Sequence, residues 1–302
     1  MAEVTLPLRK RLWNPEARLA YILILPAILV LAAFMFYPIL YVFLMSLFKT
    51  NKLGNLIQFI WFKNFAELMS TKDFWIVTGR SLLWTVTGVI MKTLFGLLIA
   101  SLLNVKYRGR KFARLLIIIP WASAVPISAM LWQWVYNTEF GLLNYTLKVT
   151  RLMSNPPVWL GLPVPAFAAC MWVDIWIGIP FMALVFLAGM QAISEELYES
   201  ANIDGVNWLQ KFFYITLPGI RGLILIATLL SSLWTFNDFN VIYILTRGGP
   251  AGTTDILITD IYKSGFEWLK FSDAAVMTVV TFLILTIVSI VYARIYFKGE
   301  TG

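Results

Sequence analysis

Six stretches of this chain, residues 19–47, 81–103, 112–136, 165–190, 220–245 and 274–297, are apolar over most of their length. A helix needs about 20 such residues to cross the hydrocarbon core of a bilayer. In lipid, backbone N–H and C=O groups must be satisfied within the protein, which leaves helices and closed barrels as spanning structures. The expected fold is therefore an all-α integral membrane protein with six transmembrane helices. Composition points the same way, with 60% hydrophobic and only 13% charged residues, against about a quarter charged in a soluble domain. Two further stretches, around 56–62 and 256–268, are too short or too polar to cross and read as interfacial helices or loops. The first span is longer than the apolar part of a secretory leader and lacks a small-residue cleavage site after it, so it reads as a retained helix.

Several chemistries are poorly supported. The chain has no histidine and one cysteine, Cys170. The commonest metal ligand and general base are thus missing, and no internal disulfide can form. No metal site and no catalytic residues are expected, and an intramembrane enzyme is disfavoured. The net charge of +8 does not indicate nucleic-acid binding, because the charges lie in short segments between apolar spans. Arg9, Lys10, Arg11 and Arg18 precede the first span. Lys106, Arg108, Arg110, Lys111 and Arg114 crowd the loop between spans two and three, and Arg294 and Lys298 end the sixth. By the positive-inside rule these three segments, and hence both termini, face the cytoplasm. Residues 1–18 then form a cytoplasmic segment ahead of a membrane domain at 19–298.

That topology puts residues 191–218 in the cytoplasm, between spans four and five. Local rules predict two short helices. Ser194 is a suitable N-cap, Glu195 and Glu196 suit the first turn, and Ile193 and Tyr198 take the positions of a hydrophobic staple. Asp204-Gly205 ends the first helix, a second starts near Val206, and Pro218 opens span five. A surface-lying amphipathic loop is the plainer alternative. The pattern Glu199, Ser200, Ala201, Asp204, Gly205, Phe212, Leu217 and Pro218, however, resembles the "EAA" loop of ABC importer permeases. Ser200 stands where alanine is usual, and Val206 where alanine often follows the glycine.

The likeness extends along the chain. Leu245, Thr246, Gly248, Gly249, Pro250, Thr253 and Thr254 resemble a segment that follows span five in the maltose/glycerol-phosphate carbohydrate-uptake family. Lys63-Asn64-Phe65, Ile119-Pro120 and Phe140 to Asn144 are also similar to that family. The resemblance implies a type I ABC importer permease fold with a cytoplasmic coupling helix, in a short form without a large extracellular insertion. It implies that Glu199, Ser200, Ala201, Asp204, Gly205 and Pro218 belong to the loop that docks on a cytoplasmic ABC ATPase dimer. The implied partners are that ATPase, a second permease subunit forming a heterodimer, and an extracellular or periplasmic solute-binding protein. No Walker A sequence is present, so ATP is expected on the partner subunits and the chain needs no cofactor of its own.

Ionisable residues inside spans are costly and suggest function. Lys92, Asp174 and Asp238 are such residues, whereas Arg80 lies at a span edge where it could snorkel. Asp174, Ile177, Gly178 and Phe181 share one helical face of span four. Ser231, Trp234, Thr235 and Asp238 have the same spacing in span five. Each face joins a carboxylate to an aromatic ring, a combination suited to sugar hydroxyls and an apolar sugar face. The resemblance implies that sugar is contacted from these two spans, although the family has amides where Asp174 and Asp238 stand here. Either acid could instead pair with Lys92 or with a neighbouring helix. Gly178 and Pro180 are expected to weaken or kink span four. A sugar importer subunit is the leading expectation. A glycerol-3-phosphate or phosphodiester importer is the alternative, since Lys92 could face a phosphate. A passive channel does not account for the cytoplasmic loop.

Overall fold

The computed structural model describes residues 15–300. Arg9, Lys10 and Arg11, expected on the cytoplasmic side, lie outside the described residues. Among the described residues four helices are long and apolar enough to cross a membrane: Arg18–Leu47, Lys72–Asn104, Pro163–Ala192 and Phe271–Lys298. Two bent pairs, Arg110–Ala122 with Val125–Val135 and Trp208–Gly219 with Arg221–Phe236, bring the number to six if each pair is one span.

In chain order, α1 (Pro15–Leu31) passes through a wide turn at Ala32–Phe36 into α2 (Tyr37–Leu47). A small ribbon follows, with β1 (Phe48–Thr50) antiparallel to β2 (Leu56–Phe59) and Lys49 opposite Gln58. Stretch 56–62 was expected to be an interfacial helix or loop, so the ribbon corrects that local expectation within a fold that is otherwise helical. The turn is made by Asn51, whose side chain accepts from the N–H groups of Leu53 and Asn55, and by Gly54 at φ +80°. Next come α3 (Lys63–Met69) and the 33-residue α4 (Lys72–Asn104), which starts well before the expected position 81.

Span three is not one straight helix. It divides into α5 (Arg110–Ala122) and α6 (Val125–Val135), which meet at 96°. Pro126 in the first turn of α6 has no N–H to extend the preceding helix, and Ser123 and Ala124 are extended. Helix α7 (Leu142–Val149) precedes α8 (Pro163–Ala192). Helix α8 is continuous over 30 residues, with Gly178 and Pro180 inside it, so the chain is not interrupted there.

Residues 191–218 form α9 (Glu195–Ile203) and α10 (Trp208–Lys211). The latter runs on through a wide turn, Phe212–Thr216, to Leu217–Gly219. Helix α11 (Arg221–Phe236) ends earlier than expected, and the chain resumes as α12 (Phe239–Leu245). Last come α13 (Leu257–Tyr262) and α14 (Phe271–Glu300).

The centre of the bundle is the long contact of α4 against α8. A Cβ on Gly96 would stand 2.5 Å from the Met182 Cβ, so glycine there lets the two backbones close. One apolar cluster around Ala100, Met182, Phe186, Leu187, Met190 and Ile220 packs their ends nearest α9. A second, around Trp84, Cys170, Val173, Ile177, Val241 and Ile242, packs the other half. Arg80 does not snorkel. Its Nη1 donates to the carbonyls of Gly252 and Asp255 at 2.7 and 2.9 Å, tying α4 to the loop before α13. In that loop the Asp255 carboxylate accepts from Lys263 Nζ and Thr259 Oγ1. Gly248 has φ +81° and its α-carbon faces the Asp255 carboxylate without room for a Cβ, which accounts for glycine at this point of the Thr246–Thr254 segment.

Candidate functional site

Helices α4, α8 and α11 and the start of α12 enclose a cavity of about 600 Å³, within the range of about 300–1,000 Å³ usual for small-molecule sites. All eight residues singled out on spans four and five line it: Asp174, Ile177, Gly178, Phe181, Ser231, Trp234, Thr235 and Asp238. Lys92, Trp121, Asn237 and Asn240 line it as well. They give it a mixed wall of rings, amides, hydroxyls and two carboxylates.

The two carboxylates have different surroundings. Asp174 is buried and faces Lys92, whose Nζ donates to Oδ1 at 2.8 Å and to Thr235 Oγ1 at 2.7 Å. The same ammonium lies 2.7 Å from Asp174 Oδ2, a charge contact outside hydrogen-bond geometry. This knot joins α4, α8 and α11. Gly178 makes room for it, since a Cβ there would meet Lys92 Cδ and Cε at 2.7 Å. Gly88 does the same on the other side, where a Cβ would lie 3.1 Å from Asp174 Oδ2. Asp174 thus pairs with Lys92 and lines the cavity at once.

Asp238 is not the last member of a continuous helical face. Helix α11 stops at Phe236, and Asp238 is the N-cap of α12, accepting from the N–H groups of Asn240 and Val241 at 3.0 and 3.3 Å through Oδ1. It reaches the same cavity because the chain turns there. The indole of Trp84 supports the turn by donating to the Thr235 carbonyl at 3.0 Å. Aromatic rings continue along the wall: Phe181 and Trp234 are 4.9 Å apart edge to face, and Trp121 lies 6.4 Å from Phe181. Trp234 is about half exposed.

At the α9 end of α8, Ser194 Oγ accepts from the Glu196 N–H. Ala201 is buried, while Glu199 and Ser200 are exposed and Ser200 Oγ donates to the Glu196 carbonyl. Asp204 closes α9 and Gly205 takes φ +71°. Asn207 and Gln210 form a capping box on α10, and Lys211 Nζ donates to Asn202 Oδ1. Tyr198 and Thr216 share a hydrogen bond at 2.8 Å. Pro218 stands just before the 69° bend into α11. The two short helices are therefore cross-tied into one elbow, fastened at both ends to cavity-lining helices. From Asp174 to Ala192 the rise along α8 is ~27 Å at about 1.5 Å per residue.

Residues 92–298 match the family described as the binding-protein-dependent transport system inner membrane component. The trehalose/maltose transport system permease protein MalF of Thermococcus litoralis is 34% identical over 291 residues, 95% of this chain and 97% of that protein. The chain belongs to this permease family. A probable ABC transporter permease protein of Brucella suis is 34% identical over 282 residues, covering 93% and 98% of the two chains. Among solved structures, a bacterial ABC transporter involved in the import of alginate matches with a TM-score of 0.79 over 95% of this chain and 97% of that one, at 24% identity. The fold is the type I importer permease fold, in a multi-pass membrane protein.

The permease cavity also contains groups that helical periodicity did not single out. Asn237 and Asn240 flank the turn after Phe236 and become cavity residues only because α11 ends there. Trp121 comes from the end of α5, next to the bend in span three. An Asp placed before Phe239-Asn240-Val241 is a readable N-cap signal for the turn that carries Asn237 and Asn240.

Proposed function

We propose that this chain forms one half of the translocation path of an ATP-driven importer for a neutral sugar, and that the α9–α10 elbow receives the force. The observation that carries this reading is the single cavity that unites both predicted faces while one of its walls, α8, runs directly into the elbow. Asp238, Asn237, Asn240 and Ser231 offer acceptors and donors to hydroxyls, and Trp234, Phe181 and Trp121 offer flat apolar surface. The Lys92 charge is already matched by Asp174, which leaves no free cation for a phosphate among the described residues lining the cavity. That favours sugar over glycerol-3-phosphate. Relatives are named for trehalose/maltose, sulfoquinovosyl glycerol and diacetylchitobiose transport, which supports a saccharide.

Coupling follows from rigid geometry. Glu199 and Ser200 are exposed on α9, and Leu197, Ile203, Trp208, Leu209, Phe213 and Tyr214 present apolar surface beside them. Such a patch suits an obligate partner. A cytoplasmic ABC ATPase dimer gripping it would move α8 and α11 together through the Tyr198–Thr216 tie. The chain then needs a second permease subunit to close the path and a solute-binding protein to deliver sugar, and both termini lie in the cytoplasm. The test is uptake by proteoliposomes holding the whole importer, offered neutral disaccharides, a uronate disaccharide and glycerol-3-phosphate. ATP-dependent uptake of a neutral sugar, reduced by Trp234→Ala and Asp238→Ala, is expected. Uptake of glycerol-3-phosphate alone overturns the substrate assignment.

A further inference from the structure

A second cavity, of about 530 Å³, lies where the ends of α4 and α8, the start of α5 and α9 come together. Its walls include Lys106, Arg110, Arg114, Glu195 and Glu199. Lys106 and Glu195 pair at 3.3 Å, both in the open. The two arginines are different. Both are half-buried, and neither has a carboxylate within ion-pair distance among the described residues. Arg110 Nη1 has one long contact, 3.4 Å, to the Asn104 carbonyl, and Arg114 Nη2 one of 3.3 Å to the Leu103 carbonyl. Arg114 Nε is buried with no partner. A guanidinium carries five N–H donors in a rigid fork that fits a phosphate. Two forks in one cavity with most donors unused, one of them walled off from water, call for an anion.

The position of the cavity decides which anion. Phe112, Leu115, Leu116 and Ile119 form the opposite face of α5 at helical spacing, and all four are exposed. In a membrane that face meets acyl chains. Arg110 and Arg114 share the inward face with Ile117, which packs into the core. One helix thus sets apolar side chains for lipid tails beside a guanidinium cavity at headgroup height. We propose that this cavity holds the headgroup of an anionic phospholipid, its phosphodiester on Arg110 and Arg114. Basic pockets between spans are suited to such lipids. The site borders α9, so lipid occupancy and the elbow's position are linked through Glu195 and Glu199.

The test is thermal unfolding of the purified full-length chain in maltoside micelles, supplemented with phosphatidylglycerol, phosphatidylcholine or inorganic phosphate. Phosphatidylglycerol should raise Tm by about 3 °C or more, and the other two should not. Arg110→Gln with Arg114→Gln should abolish the rise, and Arg110→Lys with Arg114→Lys should weaken it, because charge stays but the fork goes. Arg108→Gln with Lys111→Gln removes the same charge from the same loop outside this cavity and should leave the rise intact. Equal responses to the two lipids, or equal loss in the Arg108/Lys111 pair, overturns the site. A rise with inorganic phosphate alone overturns the lipid assignment. If the Arg110/Arg114 variants do not fold, native mass spectrometry of the unmodified chain decides: selective retention of phosphatidylglycerol over phosphatidylcholine is expected, and equal retention overturns the site.

Discussion

Replacing Lys92 with methionine removes the cation that faces Asp174. The two side chains are 5% and 7% exposed, so both charges are almost wholly taken from water. Breaking a buried pair by deleting one partner costs about 3–5 kcal/mol, because the remaining charge is left uncompensated. Replacing both partners with apolar groups of similar size is often neutral. Lys92→Met should therefore lower Tm sharply, by roughly 6–10 °C at about 2 °C per kcal/mol for a chain of this length. Lys92→Met with Asp174→Leu should recover most of that loss. Asp174→Asn should fall between, since Lys92 keeps Thr235 Oγ1 as a partner. The assay is thermal unfolding in maltoside, followed by the loss of the monodisperse size-exclusion peak. A Lys92→Met protein within about 2 °C of the parent, or a double variant no better than the single one, refutes a buried mutual pair. It would mean instead that water reaches Asp174 or that the two groups do not meet.

Gly178→Ala places a methyl group 2.7 Å from the Lys92 stem and should cost about 1–3 kcal/mol by overpacking, measured in the same unfolding assay. A Cβ on Gly205 would meet no neighbour within 4 Å, so the cost of Gly205→Ala is that of a left-handed backbone alone, about 1–2 kcal/mol. The substitution should reduce ATP-driven uptake more than its small Tm change explains. Asp260, on α13 outside the spans, has its carboxyl pushed up to about 6, by burial first and by Asp255 second, against Lys263 and Arg80. A carboxyl raised in the folded state holds its proton longer there than in the unfolded chain. Stability should therefore fall as pH rises from about 4 to about 6, and Asp260→Asn should flatten that part of a Tm-against-pH curve. Arg80→Leu deprives the Gly252 and Asp255 carbonyls of a charged donor, and a Tm unchanged by that substitution would show that this tie holds nothing.

Apolar run length announced the membrane helices because hydrocarbon thickness leaves little choice of length. It could not show where a run bends. Span three reads as one apolar block, yet Pro126 after Val125 starts a new helix at 96° to the old one. Span five likewise reads unbroken through Asn237, although an Asp followed by Phe239, Asn240 and Val241 is a good N-cap. The eight cavity residues were found by helical spacing. Seven lie on regular helix, and Asp238 reaches the cavity by a turn that spacing does not describe. The sequence showed three intramembrane charges but not their partners, since pairing Lys92 with Asp174 rather than Asp238 depends on how α4 lies against α8. The small ribbon at Phe48–Phe59 is too short to register in apolar run length, and its signal in the sequence is the Asn51 and Gly54 turn.

ATP hydrolysis measured on the affinity-purified chain with its co-eluting subunits tests force transfer through the α9–α10 elbow most directly. Unmodified protein should bring down an ATPase whose activity rises when sugar-loaded binding protein is added. Glu199→Ala and Gly205→Val should lose the ATPase or its stimulation while the chain stays in the membrane. An unmodified chain that elutes without any hydrolysing subunit, or variants stimulated as fully as the parent, would contradict the elbow's role.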